Sequence, residues 1–387
     1  MAQYREQSNF STVMAGTKMG NFRSQKKHAI IPIFIPHYGC GYDCVFCNQN
    51  KITGVKSIPS YEEVESKIDK WLSTLRPLSE DSFNYAKSDN YAKTVELAFY
   101  GGSFTGIPME VQSSYLDIAK RYKELGRIDK IHLSTRPDYI DENILENLKR
   151  HSVDTIELGA QSFDDEVLMA SKRGHDSKCT EKSAKLIKDY GFELGLQLMV
   201  GLPKDTLKSS VHSAHEVVRL SPSLARIYPT VMLEDTELLN MYRNGEYKPL
   251  TRDEAVKRAK AIYLILEKAG ITIMRVGLKS GDIIDNSVID SPAYHPAFRQ
   301  LVESEIARDR IENLINANRD ILSDKSKKSD EPKIKVDICS SPKWFSNMLG
   351  NKSENKEYFK NKFSNLDLKY QIDRSIGDGD FKIVIKD

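Results

Sequence analysis

Cys40, Cys44 and Cys47 place three of the chain's five cysteines in one turn-rich segment, residues 36–48, directly after the apolar run 30–35. Thiolates are soft metal ligands, and three of them at C-x3-C-x2-C spacing behind an apolar strand read as a metal centre. Three is one fewer than the four that close a structural zinc site or saturate a [4Fe-4S] cubane. The simplest arrangement is therefore a cubane with one iron open to a further ligand, and chemistry would happen at that iron. Spacing alone leaves two alternatives: a zinc site completed by His37 or a distant residue, or a chance cluster. Cys179, on a helical stretch, and Cys339, at the end of a strand, read as small buried hydrophobes.

Composition restricts the setting of such a centre. With 40% hydrophobic and 29% charged residues over 387 positions, the chain reads as an ordinary globular protein too long for one small core. Its 57 basic and 55 acidic side chains leave a formal charge of +2. A nucleic-acid partner is neither demanded nor excluded by that balance and would need a local patch. Residues 1–27 are polar and carry Arg5, Lys18, Arg23, Lys26 and Lys27 without a secretory apolar core, so they read as a flexible basic arm. No run is apolar enough to span a bilayer, so no membrane partner is expected. Clustered rather than paired cysteines point to a reducing cytoplasm.

The elements that must hold the cysteines alternate in type. Short apolar strands are expected at 30–35, 95–100, 131–134, 155–158, 194–200, 225–228 and 271–275. Helical spacing recurs between them at 61–75, 109–125, 140–150, 179–190, 207–220 and 252–269, with a polar inserted loop at 79–93. Strand and helix in this order predict an α/β fold of parallel strands joined by right-handed crossovers, barrel-like, with strand ends converging on one mouth. Beyond that core, which extends over 28–320, residues 321–333 are charged and read as a linker. Residues 334–387 give strand, helix broken near Gly350, and strands, a small C-terminal α+β appendage.

Several strand ends carry groups that could face the mouth. Gly101-Gly102-Ser103 permits a close backbone approach to a ligand, although a glycine pair is more often a tight turn. Arg136, after Thr135, offers a fork for a carboxylate or a surface salt bridge with Asp138. Gln161 and the run Arg173-Gly174-His175 present hydrogen-bonding groups, and Gly201-Leu202-Pro203 is a turn that could pack on adenine. Gln197 is expected to face the interior, with Arg226, Tyr228 and Arg275 lining the far strands, where packing is the commoner role for such residues.

The cysteine spacing, with Phe46 just before the last thiol, resembles that of the radical S-adenosylmethionine (radical SAM) superfamily. In that family a Gly-Gly-Glu segment contacts the SAM amino group; here Ser103 replaces the glutamate, leaving backbone carbonyls to do that work. The resemblance implies a partial (β/α)6 TIM-type barrel and a [4Fe-4S] cluster on Cys40, Cys44 and Cys47. It also implies SAM held near Gly101, Gly102, Ser103, Thr135, Arg136, Gln161, Arg173, Gln197 and Tyr228. Catalytic side chains beyond these stay unassigned.

A narrower resemblance runs in order over residues 30–280, through Glu96 to Pro108, Ser134 to Tyr139, Val153 to Phe163, Lys172 to His175, Met199 to Pro203, and Ile227 to Thr230. These are similar to the radical SAM half of the elongator complex catalytic subunit. That subunit has a longer gap between its first two cysteines and continues into an acetyltransferase domain, whereas the sequence here continues into an unrelated appendage. The resemblance implies reductive cleavage of SAM to a 5′-deoxyadenosyl radical, with tRNA, modified at a wobble-type uridine, as partner. An electron donor such as flavodoxin or ferredoxin is implied as well. Gly159 to Phe163 and Arg173 to His175 also look like oxygen-independent coproporphyrinogen oxidase, which keeps a small-molecule oxidoreductase open. A non-catalytic metal-binding adaptor is the third reading.

Overall fold

The computed structural model describes residues 28–35, 40–41, 43–48, 57–76, 78–79, 82–85, 92–278, 287–328 and 333–386. The expected basic arm at 1–27 and His37 lie outside them. Seven strands form one sheet: β1 (His28–Ile35), β4 (Thr94–Gly101), β5 (Lys130–Thr135), β6 (Thr155–Gln161), β7 (Glu193–Val200), β8 (Leu224–Pro229) and β9 (Thr272–Val276). They are hydrogen-bonded in that order, and every neighbouring pair is parallel. Each crossover steps the same way, so the sheet curls into a half-barrel whose strand ends share one rim. Six repeats are expected from the resemblance; the structure carries a seventh strand, β9, on the far edge.

Local sequence accounts for most of this. β1 alternates buried Ala29, Ile31, Ile33 and Ile35 with half-exposed neighbours. Its Pro32 is tolerated because, among the described residues, β1 is an edge strand paired with β4. β6, in the centre, is buried at all seven positions, as a strand covered on both faces must be. The helices begin at side-chain caps: Ser60 with Glu63 for α1 (Tyr61–Leu75), Asp141 for α3 (Glu142–Arg150), and Asp176 for α5 (Ser177–Asp189). Thr206 caps α6 (Leu207–Leu220). Such caps satisfy otherwise orphaned N–H groups. α2 (Met109–Glu124) packs over β5, and α4 (Asp165–Ala170) follows β6. The insertion at 79–93, expected as loop, contains the short antiparallel ribbon β2 (Leu78–Ser79) and β3 (Ser82–Tyr85).

After α7 (Glu237–Arg243), α8 (Arg252–Lys268) and β9, the 20-residue α9 (Phe298–Ala317) serves two cores. Its Leu301, Val302, Ile306 and Ala307 join the barrel core. Its Ile311 and Ile315 join a second core with Ile334, Val336, Ile338, Met348, Phe359 and Leu366. The appendage is a three-stranded sheet in the order β11 (Leu366–Ile372), β10 (Ile334–Ser340), β12 (Phe381–Ile385), with α11 (Phe345–Leu349) and α12 (Glu354–Lys362). Residues 321–333, read as a linker, start inside α10 (Arg319–Lys328), whose Leu322 is buried in that second core. One apolar anchor in a charged run is enough to draw the segment onto the protein.

Candidate cluster and cofactor site

The cysteine loop leaves β1 and is pinned from two sides. On one, Gly41 N–H donates to the Tyr139 hydroxyl at 2.9 Å. On the other, Leu238 N–H donates to the Val45 carbonyl at 2.7 Å, and the Asn48 amide to the Glu234 carbonyl at 2.9 Å. Val45 is buried with Met232, Leu238 and Tyr247 in a small core of its own. A tight turn brings Cys47 N–H to the Cys44 carbonyl at 2.9 Å. Cys44 is buried; Cys40 and Cys47 are half-buried. Among the described residues no three Cys, His, Asp or Glu side chains stand already grouped for a metal. Contacts with the barrel therefore fix the loop in place.

Cys44 lies beneath two arginines. Arg136 Nη1 and Arg173 Nη1 reach its sulfur at 3.5 and 3.2 Å. Arg136 is also forked onto Asp138, with Nε and Nη2 each 3.0 Å from a carboxylate oxygen, so the salt bridge and the inward contact coexist. Arg173 Nη2 donates to the Gly159 carbonyl at 2.6 Å and meets His175 Nε2 at 3.2 Å. A Cβ on Gly159 would fall 2.8 Å from Gln161 Nε2 and 3.7 Å from Arg173 Nη2, so these groups are close neighbours. Gln161 has φ +66° at a bulge in the β6–β7 pairing. A non-glycine residue held there is strained backbone of the kind that aims a side chain.

Other expected contacts are spent on structure. Gly101, at φ +118°, lies so near β1 that a Cβ would sit 2.1 Å from the Ile35 carbonyl oxygen, and Gly102 N–H donates to that same oxygen at 3.0 Å. Strand pairing alone thus demands the first glycine. Ser103 is buried at the start of the 3-10 turn Phe104–Gly106. Thr105 donates to the Tyr139 carbonyl at 2.7 Å, so in the 2.6 Å contact between Thr105 and Thr135 it is Thr135 that donates. Gly201 is tied by Tyr247 and Asp205, with a Cβ 2.8 Å from Leu250; packing accounts for this turn.

Inside the barrel runs a row of ionised groups. His28 Nε2 lies 2.8 Å from Glu96, whose other oxygen contacts His132; His132 Nε2 is 3.4 Å from Glu157. Glu157 accepts from Arg226 Nε at 2.8 Å and from Gln197. Arg226 in turn donates to the hydroxyls of Tyr100 at 2.5 Å and Tyr228 at 3.4 Å. Gly195 makes room, since a Cβ there would come within 3.0 Å of Glu157 Cγ. Burial opposes the charges of Glu96, His132, Glu157 and Arg226, yet partners prevail. Hydrogen bonds and charges from His132 and His28 outweigh desolvation and bring the Glu96 carboxyl down to about 2. Against burial, Glu157 and then Glu96 hold the His132 imidazole up at about 9. Gln197 and Tyr228, expected to face a cofactor, belong to this row. Glu96, His132, Glu157 and Tyr100 are not foreseen as site residues. The available signal is charge placed inside strands that otherwise read as buried.

Two buried polar atoms at the Cys44 cluster, Gln161 Oε1 and Arg173 Nε, have no hydrogen-bond partner among the described residues. An unmet acceptor and an unmet cationic donor beside a three-thiol loop fit a metal cluster joined by a ligand carrying both amine and carboxylate.

The comparisons with known proteins agree. Residues 34–217 match the Radical SAM superfamily and residues 222–308 the Radical SAM C-terminal domain. The tRNA uridine(34) acetyltransferase of Methanocaldococcus infernus is 30% identical over 183 residues, 42% of this chain and 34% of that protein. Human Elongator complex protein 3 is 23% identical over 299 residues, 68% of this chain and 53% of that one. The matches thus span about a third to about half of these relatives. The solved structure of the archaeal Methanocaldococcus infernus Elp3, with an N-terminal deletion, superposes with a TM-score of 0.57 at 21% identity. It covers 73% of this chain and 63% of that one, and confirms the fold. The cofactors of the matched superfamily are a [4Fe-4S] cluster and S-adenosylmethionine. With a half-barrel, a three-thiol loop after its first strand, and the two family matches running consecutively from residue 34 to residue 308, the chain belongs to the radical SAM superfamily, in a part similar to the radical SAM half of the elongator catalytic subunit.

Proposed function

We propose that this chain is an enzyme that cleaves S-adenosylmethionine reductively and turns the resulting radical on tRNA, at a wobble-type uridine. The observation that carries the reading is the junction of Cys44, Arg136, Arg173 and Gln161 at the strand ends. A relative similar to this chain over 183 residues is named for tRNA uridine(34). Cys40, Cys44 and Cys47 would hold the cluster. When bound, cluster and SAM together supply a 5′-deoxyadenosyl radical after one electron arrives from a donor such as flavodoxin or ferredoxin. The chain's own share is binding and shielding. Gln161 Oε1 offers an acceptor to an amine and Arg173 Nε a donor to a carboxylate. Modified nucleosides in tRNA from strains with and without the gene test the substrate. Loss of a modified wobble uridine supports the reading; an unchanged tRNA profile with a small metabolite accumulating contradicts it.

A further inference from the structure

Cys44 differs from the other two thiols of its loop in its electrostatic surroundings. It is 5% exposed, and the two guanidinium residues that reach it, Arg136 and Arg173, are 4% and 5% exposed, so all three groups are sealed from water. Neither arginine is at liberty to swing away. Asp138 forks Arg136, and Arg136 Nη2 also donates to the Arg173 carbonyl. Arg173 is held by the Gly159 carbonyl at 2.6 Å. The charge count is uneven. Asp138 answers Arg136, but among the described residues Arg173 has no carboxylate in salt-bridge range. Its other neighbour, His175, is kept neutral: burial and then the Arg173 charge push that imidazole down to about 4. One positive charge is left uncompensated 3.2 Å from the Cys44 sulfur.

We propose that Arg173 sets the reduction potential of the cluster by donating to the Cys44 sulfur, and that Asp138 limits the effect by neutralising Arg136. The inference rests on Cys40, Cys44 and Cys47 holding that cluster. Reduction adds one electron, supplied by a low-potential donor protein, and so adds negative charge at the sulfurs. A fixed buried cation with an N–H aimed at one sulfur stabilises the reduced state more than the oxidised one. Burial keeps solvent and salt from screening it. Arg173 is thus a positioning residue with an electronic effect, separate from any contact it makes with SAM.

The test uses the full chain, reconstituted anaerobically with iron and sulfide and titrated with dithionite in the absence of SAM and tRNA. The reduced cluster is followed by electron paramagnetic resonance, and iron is counted per chain. Arg173→Gln is expected to shift the midpoint potential to more negative values at unchanged iron content, and Arg173→Lys to fall between it and wild type. Asp138→Asn, which strips Arg136 of its counter-charge, is expected to move it the other way. Opposite shifts are something a purely structural role does not produce. Midpoints equal to wild type, or moving in the same direction for Arg173→Gln and Asp138→Asn, overturn the proposal. Should Arg173→Gln hold no cluster, Asp138→Asn and Arg173→Lys still decide it, since failure of Asp138→Asn to rise overturns it alone. A wild-type chain that takes up no iron would instead overturn the cluster reading itself, and this inference with it.

Discussion

Replacing Glu157 by glutamine removes one negative charge from the centre of the buried row and keeps the side chain's shape. Glu157 is fully buried, with Arg226 Nε at 2.8 Å and His132 Nε2 at 3.4 Å on one oxygen and Gln197 on the other. The substitution leaves the buried Arg226 charge without its carboxylate, and breaking a buried pair from one side costs about 3–5 kcal/mol. A pH signature accompanies the loss. In the folded chain His132 is held up at about 9, against about 6.5 when unfolded. Because the folded value is raised, its stabilisation is complete below about pH 6.5 and drains as pH rises through 9, on the order of 3 kcal/mol. Glu157→Gln removes a principal partner of that imidazole, so the alkaline loss should shrink as well. Urea midpoints by far-ultraviolet circular dichroism at pH 6.5 and pH 9 measure both effects. A variant within about 1 kcal/mol of wild type at pH 6.5, with the same fall to pH 9, would refute the claim that this row is ionised and holds the barrel interior together.

Three further outcomes follow from the same geometry. Cys44→Ser should abolish iron uptake on reconstitution, whereas Cys179→Ser and Cys339→Ser, remote in role from the loop, should leave iron content and absorbance unchanged. Gly101→Ala places a Cβ 2.1 Å from the Ile35 carbonyl at φ +118°. Backbone strain alone should cost about 1–3 kcal/mol, read as a lower urea midpoint. Gln161→Gly relieves a left-handed backbone at φ +66° while deleting the unmet Oε1. Stability should hold or rise by up to about 1 kcal/mol, while SAM affinity by calorimetry falls about tenfold or more.

Local patterns made the scaffold legible. The apolar run that becomes β1 and the helical spacing that becomes α1 and α6 act within a few positions of the elements they define. The seventh strand was readable too, since 271–275 has the same apolar character as its neighbours; the count of six came from resemblance. The three thiols were legible because they share one loop. What could not be read are pairings across strands. Glu96, His132 and Glu157 meet only because β4, β5 and β6 curl together, a relation that no sequence spacing encodes. Thr135 likewise looks available in the sequence but is committed to Thr105, 30 residues away. The contacts of Arg136 and Arg173 with Cys44 span separations of 92 and 129 residues, so a strand-end arginine gave no hint of which thiol it serves.

The most direct measurement is what the reconstituted chain does with S-adenosylmethionine. Full-length protein loaded anaerobically with iron and sulfide, reduced with dithionite and incubated with SAM should yield 5′-deoxyadenosine and methionine, and the Cys44→Ser variant should yield neither. Stoichiometric zinc in place of iron, with no 5′-deoxyadenosine on reduction, would contradict the radical SAM reading.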